Sequence, residues 1–170
     1  MTNTPRGPSD HVQRFEGSRL ILLVEDNPAD ADLIQESLAE CRGRVKVDLA
    51  VHGEAAIDYL SRKSAAGDAI LFPQLILLDL NLPGLNGREV LSEIKATDHL
   101  RHIPVVVFSS STAERDVMQS YMLGASCYLV KPYDLYSFRR MVQAIENFWL
   151  TVAELPLRLP TEKPGPRMLP

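Results

Sequence analysis

Four short apolar runs and one alternating run, each followed by a segment with helical spacing, constrain the fold of this chain more than any other feature. Continuous apolar runs of this length are typical of strands that are buried on both faces of a sheet. We predict strands at Leu20–Val24, Val45–Val51, Leu75–Asp79, Val105–Phe108 and Cys127–Val130. The intervening pattern predicts helices from Asp26 to near Gly43 and over residues 53–60, 87–96, 112–123 and 135–152.

This regular alternation of strands and helices predicts a parallel sheet assembled from βα units. Crossovers between parallel strands are right-handed, which leaves few topologies. For five units we favour the flavodoxin-like (βα)5 fold, a doubly wound parallel α/β sheet with strand order 2-1-3-4-5. Its functional crevice lies at the carboxyl ends of the strands, around the central first strand.

The length of 170 residues suits one domain with irregular ends. Residues 1–18 carry Pro, Gly and Ser without periodicity, and we expect a flexible N-terminal arm there. The predicted domain covers residues 19–153. Residues 154–170 are dense in proline, which neither a helix nor a central strand tolerates, so we expect an extended C-terminal tail.

The charge and hydropathy of the chain argue against several classes of function. A net charge of −4 without a long basic run offers no electrostatic footprint for nucleic acid or for a membrane surface. No apolar stretch approaches the ~20 residues that a membrane span needs, and the first residues do not resemble a signal peptide. We therefore expect a cytoplasmic protein in which Cys41 and Cys127 are free thiols.

Polar side chains follow four of the predicted strands, and they make chemical sense together. In a parallel sheet these strand ends meet at one edge, which brings three carboxylates into one crevice. Acids so placed are stable when a cation lies among them, and oxygen ligands with open positions suit Mg²⁺. The residues are Glu25 and Asp26, Asp79, Ser109 and Lys131.

The chemistry that this set predicts is transfer of a phosphoryl group to Asp79. Mg²⁺ would neutralise charge on the transferred group, while Lys131 and Ser109 would hold its oxygens. Each residue also has a structural interpretation, since Asp26 could be only a helix N-cap and Lys131 only a surface cation. The joint occurrence of these residue types at separate strand ends favours the functional interpretation.

These residues lie in motifs that resemble the response-regulator receiver family over residues 19–150. The motifs are LLVEDNP (22–28), LILLDLNLPGLNG (75–87), PVVVFSSS (104–111) and GASCYLVKPY (124–133). The resemblance implies that Asp79 is the phosphorylation site. It also implies that Asp26 binds the metal directly, Glu25 through water, and Asn81 through its backbone carbonyl.

The same resemblance implies a phosphorylation switch. Ser109, Ser110 and Lys131 are expected to contact the phosphoryl group, and Tyr128 is expected to turn inward when Ser109 moves. The face formed by helix 4, strand 5 and helix 5 would change as a result. The Lys131–Pro132 bond is expected to be cis.

A closer resemblance, carried mainly by FWLTVAELP (148–156), is to single-domain phytochrome-associated response regulators. It implies a homodimer formed through helix 5 and strand 5. Three adjacent large apolar residues cannot all face one side of a helix, so at least one points away from the domain's own sheet. The candidate interface residues are Tyr133, Phe148, Trp149 and Leu150.

We therefore expect a signalling module rather than an enzyme, phosphorylated by a sensor histidine kinase with a bacteriophytochrome as the candidate. Output would pass to another protein, such as a histidine phosphotransfer protein, or back to the kinase. One alternative is an aspartyl-phosphate hydrolase of the haloacid-dehalogenase type, but Asn81 stands where that class needs a second acid. Another is a receiver that binds partners without phosphorylation.

Overall fold

The computed structural model describes residues 19–39, 45–66 and 72–156. The predicted arm, most of the predicted tail and Cys41 lie outside these ranges. Five parallel strands form one sheet in the order β2-β1-β3-β4-β5, which confirms the predicted fold class and strand order. The strands are β1 (Arg19–Val24), β2 (Val45–Ala50), β3 (Leu75–Leu78), β4 (Val105–Ser109) and β5 (Cys127–Val130).

Helices on both faces of the sheet explain why the central strands β1, β3 and β4 are apolar without alternation. On β1, Leu22 and Val24 face one buried cluster, whereas Ile21 and Leu23 face the other. A strand buried on both faces gains from apolar side chains at every position. The helices are α1 (Pro28–Ala39), α2 (Gly53–Ala66), α3 (Gly87–Ala96), α4 (Glu114–Met122) and α5 (Leu135–Glu146).

Helix α2 is longer than predicted, because it continues past Leu60 to Ala66. Ser61 and Arg62 in this extension are exposed, so the helix continues after its apolar periodicity has ended. A helix face in water leaves no hydrophobic signal by which its end could be recognised.

The last helix also differs from the predicted single helix over residues 135–152. Helix α5 gives way at Asn147 to a π-helical turn, Asn147–Val152, in which the Ala153 N–H donates to the Phe148 carbonyl at 2.7 Å. The chain then returns to the core, where Leu155 is buried in the same cluster as α1 and α5. The packed structure thus extends two residues beyond residue 153, the predicted end of the domain.

The two ends of the described structure are joined by a side chain. The guanidinium Nη1 of Arg19, at the start of β1, donates to the backbone carbonyl of Trp149 at 3.0 Å. Within the described ranges, no helix combines the length and the hydrophobicity that crossing a membrane requires.

Candidate functional site

The site residues are held by backbone hydrogen bonds that continue the sheet just beyond its strands. The N–H of Glu25 donates to the Ala50 carbonyl at 3.0 Å, and the N–H of Asp79 donates to the Val24 carbonyl at 3.0 Å. The N–H of Lys131 reaches the Ser109 carbonyl at 2.8 Å. The side chains therefore emerge from backbone that is nearly as constrained as the strands themselves.

Glu25, Asp26 and Asp79 form an acidic cluster in which one oxygen of each carboxylate lies within 4.8 Å of the others. Glu25 and Asp79 are buried, whereas Asp26 is exposed at the mouth of the crevice. Burial raises the pKa of Glu25 to about 7, against the lowering effect of Lys131. Oxygen ligands open to water on one side match the preference of Mg²⁺, so this cluster fits the expected metal.

Lys131 lies against this cluster, and its ammonium makes three hydrogen bonds. Its Nζ is 2.6 Å from Glu25 Oε2, 2.6 Å from Asp79 Oδ2 and 2.9 Å from Asp30 Oδ2. A lysine ammonium has three N–H donors, so all are used. Burial alone would lower the pKa of Lys131, but the three carboxylates outweigh burial and raise that pKa above its usual value.

Asp30 was not among the residues predicted from the sequence. It lies in the first turn of α1, where an acidic side chain is already explained by the helix dipole. The signal that could have found it is its position four residues after Asp26, in the first helical turn that follows the acidic pair. Recognising it also requires the reach of Lys131, which depends on the packing of β5 against β4.

The predicted hydroxyl positions lie beside Asn81. Its side-chain amide donates to Ser109 Oγ at 3.4 Å and to Ser110 Oγ at 3.1 Å. Its backbone N–H donates to Asp79 Oδ1 at 2.9 Å. The structure thus brings together Asp79, Asn81 and the two serines. The expected metal contact of the Asn81 carbonyl stays a prediction.

A second polar network extends from Ser109 toward α4. The N–H of Ser111 donates to Ser109 Oγ at 3.3 Å, and the Ser111 hydroxyl donates to Asp116 Oδ2 at 2.5 Å. The other oxygen of Asp116 pairs with Arg88 Nη2 at 2.5 Å. Tyr128, which is partly buried, donates its hydroxyl to the Ser111 carbonyl at 2.9 Å. The aromatic ring is therefore turned toward the β4–α4 loop.

One prediction about this region was wrong. The Lys131–Pro132 bond was expected to be cis, but it is trans, as are the other peptide bonds of the described residues. Trans is the more stable isomer of an X–Pro bond by about 0.5–1 kcal/mol. Lys131 reaches Asp79 and Glu25 with this trans bond.

The four predicted interface residues lie in different environments. Tyr133 is 98% exposed and Phe148 is 53% exposed, whereas Trp149 and Leu150 pack partly against the core. The rings of Phe148 and Trp149 meet edge to face with centroids 5.1 Å apart. As expected from their adjacency, the three apolar residues do not all face the sheet.

Comparisons with known proteins agree with this geometry. Residues 21–145 match the family described as the response regulator receiver domain. The response regulator Rcp1 of Synechocystis sp. is 45% identical over 138 residues, which cover 81% of this chain and 93% of Rcp1.

Two solved structures show the same similarity. The crystal structure of the phosphorylated cyanobacterial phytochrome response regulator RcpA superposes with a TM-score of 0.76 at 46% identity, covering 82% of this chain and 99% of RcpA. The Mn²⁺-bound form of Rcp1 gives a TM-score of 0.75 at 44% identity, covering 81% of this chain and 99% of that one.

A parallel 2-1-3-4-5 sheet with an acidic cluster and a lysine at its carboxyl edge defines a receiver-type signalling module. The chain belongs to the response regulator receiver family, and its similar relatives include regulators of the phytochrome-associated group.

Proposed function

We propose that this protein is a single-domain response regulator that accepts a phosphoryl group on Asp79 and transmits that change to other proteins. The observation that carries this proposal is the buried Asp79 carboxylate, which lies within the acidic cluster and receives a hydrogen bond from Lys131 at 2.6 Å. A nucleophilic oxygen, a site for a cation and a fixed ammonium thus converge at one carboxyl group.

Glu25, Asp26 and Asp79 would hold the Mg²⁺ ion, and Asn81 would complete the site through its carbonyl oxygen. When bound, the ion would supply positive charge that offsets the charge on the phosphoryl oxygens. A similar structure, described as the Mn²⁺-bound form of Rcp1, supports a divalent cation as the ion bound by this protein. The acids also explain why the site needs a cation, because three carboxylates so close together repel one another.

In the proposed reaction, one Asp79 oxygen forms a bond to phosphorus while the P–N bond of a phosphohistidine donor breaks. The electron pair of that bond stays on the imidazole, which takes a proton from solvent. Lys131 and the Ser109 hydroxyl would hold the phosphoryl oxygens, with Ser110 beside them. The contribution of the protein is positioning and charge rather than further covalent chemistry.

The conformational response would begin at Ser109. Its Oγ accepts hydrogen bonds from Asn81 and from the Ser111 N–H. A move of Ser109 toward a phosphoryl oxygen would therefore lengthen or break both hydrogen bonds. The Ser111 carbonyl also holds the Tyr128 hydroxyl. Movement of this loop would therefore alter the surface formed by α4, β5 and α5, which is the proposed signalling face.

We further propose that the protein is cytoplasmic and that a sensor histidine kinase is the phosphodonor, with a bacteriophytochrome as the candidate because phytochrome regulators are among the similar structures. We propose a histidine phosphotransfer protein as a second partner. The exposed Phe148 and Tyr133 support a homodimer through α5 and β5, since exposed aromatic residues often mark contact surfaces.

The test is phosphorylation of the purified protein by acetyl phosphate with Mg²⁺, followed by intact-mass spectrometry. The wild type is expected to gain one phosphoryl group and Asp79→Asn none. Asp98→Asn, which removes an exposed acid in the α3–β4 connection, is the matched control and should react like the wild type. Modification of Asp79→Asn to the same extent would refute the proposed acceptor. An unmodified wild type that still binds Mg²⁺ would favour a receiver that works without phosphorylation.

A further inference from the structure

The three partners of Lys131 differ in their relation to the acidic cluster. Glu25 and Asp79 belong to the cluster that would hold a cation, whereas Asp30 does not. The side chains of Glu25 and Asp79 are 1% and 6% exposed, but that of Asp30 is 28% exposed at the edge of the crevice. Asp30 is therefore the outer of the three carboxylates around the ammonium.

This arrangement creates a competition for oxygen atoms. The Lys131 ammonium and a cation in the cluster would both bind the carboxylates of Glu25 and Asp79. A buried ammonium that loses anionic partners is strongly destabilised, because neither water nor a counter-charge replaces them. A cation that bound there would then displace the Lys131 ammonium, unless Lys131 kept an anionic partner that the cation does not share.

We infer that Asp30 is a positioning residue that lets Lys131 remain beside Asp79 when a divalent cation occupies the acidic cluster. It does so by supplying an anionic partner, 2.9 Å from Nζ, that a cation in the cluster does not share. Its place in the first turn of α1 keeps it close to the mouth of the crevice. This inference rests on the proposed function, because it assigns a role within the same site.

Asp30 acts through Lys131 and is not simply one more negative charge near the metal. Its effect on cation affinity should therefore depend on the presence of the lysine. A double-mutant cycle separates these two possibilities, since residues that act through one another give non-additive effects.

The experiment measures the affinity of the unphosphorylated protein for Mg²⁺ by isothermal titration calorimetry. Asp30→Asn keeps the shape of the side chain but removes its charge, and it should weaken Mg²⁺ binding about 3- to 10-fold. Asp32→Asn is the matched control, because it removes an exposed acid from the same helix, and its affinity should stay within about 2-fold of the wild type.

The same Asp30 substitution is then made in a Lys131→Met background, with folding verified by circular dichroism. There it should change the affinity less than about 2-fold. An undiminished loss in that background would overturn the inference, because Asp30 would then act as a general charge. An Asp30→Asn protein that binds Mg²⁺ as tightly as Asp32→Asn would overturn it as well.

Nuclear magnetic resonance of the Lys131 ammonium provides a readout that does not require the Lys131→Met protein to fold. With Mg²⁺ bound, the ammonium protons should exchange with water faster in Asp30→Asn than in the wild type or Asp32→Asn. Equal exchange in all three proteins would contradict the proposed positioning. Both measurements use unphosphorylated protein, so they are independent of whether Asp79 accepts a phosphoryl group.

Discussion

The hydroxyl of Tyr128 donates a hydrogen bond to the backbone carbonyl of Ser111, at a distance of 2.9 Å. The N–H of the same Ser111 donates to Ser109 Oγ. Tyr128 is thus connected through Ser111 to Ser109, which we propose as a ligand of the phosphoryl group. The link joins β5 to the β4–α4 loop.

Tyr128→Phe tests what this bond contributes to the stability of the fold. The substitution leaves the partly buried ring in place and removes the donor, so we expect the free energy of unfolding to fall by about 1 kcal/mol. Urea denaturation measures this change. Tyr136→Phe, which removes a hydroxyl from an exposed ring on α5, should leave the stability nearly unchanged. Equal stability of the two variants would show that the Tyr128–Ser111 bond contributes nothing.

The Asp116 carboxylate gives the stability of the α4 region a defined dependence on pH. The hydroxyl of Ser111, and then the guanidinium of Arg88, hold the pKa of Asp116 below its usual value of 3.8. A depressed pKa in the folded state means that the stabilisation is complete above pH 3.8 and disappears as pH falls through the lower, folded-state pKa.

We therefore expect Asp116→Asn to be less stable than the wild type at pH 7, with the difference shrinking toward pH 3. Denaturant titrations of both proteins at several pH values measure it. Asp98→Asn is a suitable control, because Asp98 is exposed and pairs with Arg101 at 3.5 Å. A difference between wild type and Asp116→Asn that stayed constant down to pH 3 would exclude the charge of Asp116 as its cause.

Gly87, at the start of α3, lies directly behind the proposed acceptor. A Cβ atom at this position would come within 2.1 Å of the Asp79 carbonyl oxygen and 2.6 Å of the Leu80 Cα, both backbone atoms. We expect Gly87→Ala to lower the free energy of unfolding by about 1–3 kcal/mol and to slow phosphorylation, because the Asp79 backbone must move.

Thermal denaturation and the acetyl phosphate assay report these two effects. Ser92→Ala, an exposed position of the same helix, should affect neither. If Gly87→Ala had the stability and the reaction rate of the wild type, the close packing of α3 against the Asp79 backbone would be wrong.

Phe148 offers a test of the proposed homodimer. Phe148→Asp places a charge on an aromatic position that is 53% exposed, which should disfavour an apolar contact while leaving the fold intact. Light scattering should show a dimer for the wild type and a monomer for the variant. Leu49→Asp, on the edge strand β2 at the opposite side of the sheet, is the control and should remain dimeric. A monomeric wild type would refute the dimer itself.

Much of the candidate site could be predicted because a parallel sheet gathers its strand ends. The apolar run of β3 ends at Leu78, so the acid that follows is necessarily at the edge where Glu25 and Lys131 also emerge. Strand order and hydrophobic pattern are enough for that step. They require no knowledge of side-chain conformation.

Asp30 and the π-helical turn could not be predicted in this way. The role of Asp30 depends on the path of the long Lys131 side chain, which neither periodicity nor strand order determines. The π-helical turn keeps a helix-like pattern of apolar residues, with Trp149 and Leu150 still packed on the core. The bond before Pro132 is trans, although we expected it to be cis. That expectation came from the family resemblance and not from the chemistry of this sequence.

The π-helical turn has a consequence for tolerance to insertions and deletions. A π-helical turn contains one residue more than an α-helical turn of similar span. Deleting a single residue from Asn147–Val152 would let the segment continue as ordinary α-helix, and it would rotate the preceding side chains by about 100° relative to those that follow. The outward direction of Phe148 thus depends on the spacing between Glu146 and Leu155 as much as on the identity of the side chain. A relative with one residue fewer in this segment would present a different surface, even if it kept the same aromatic residues.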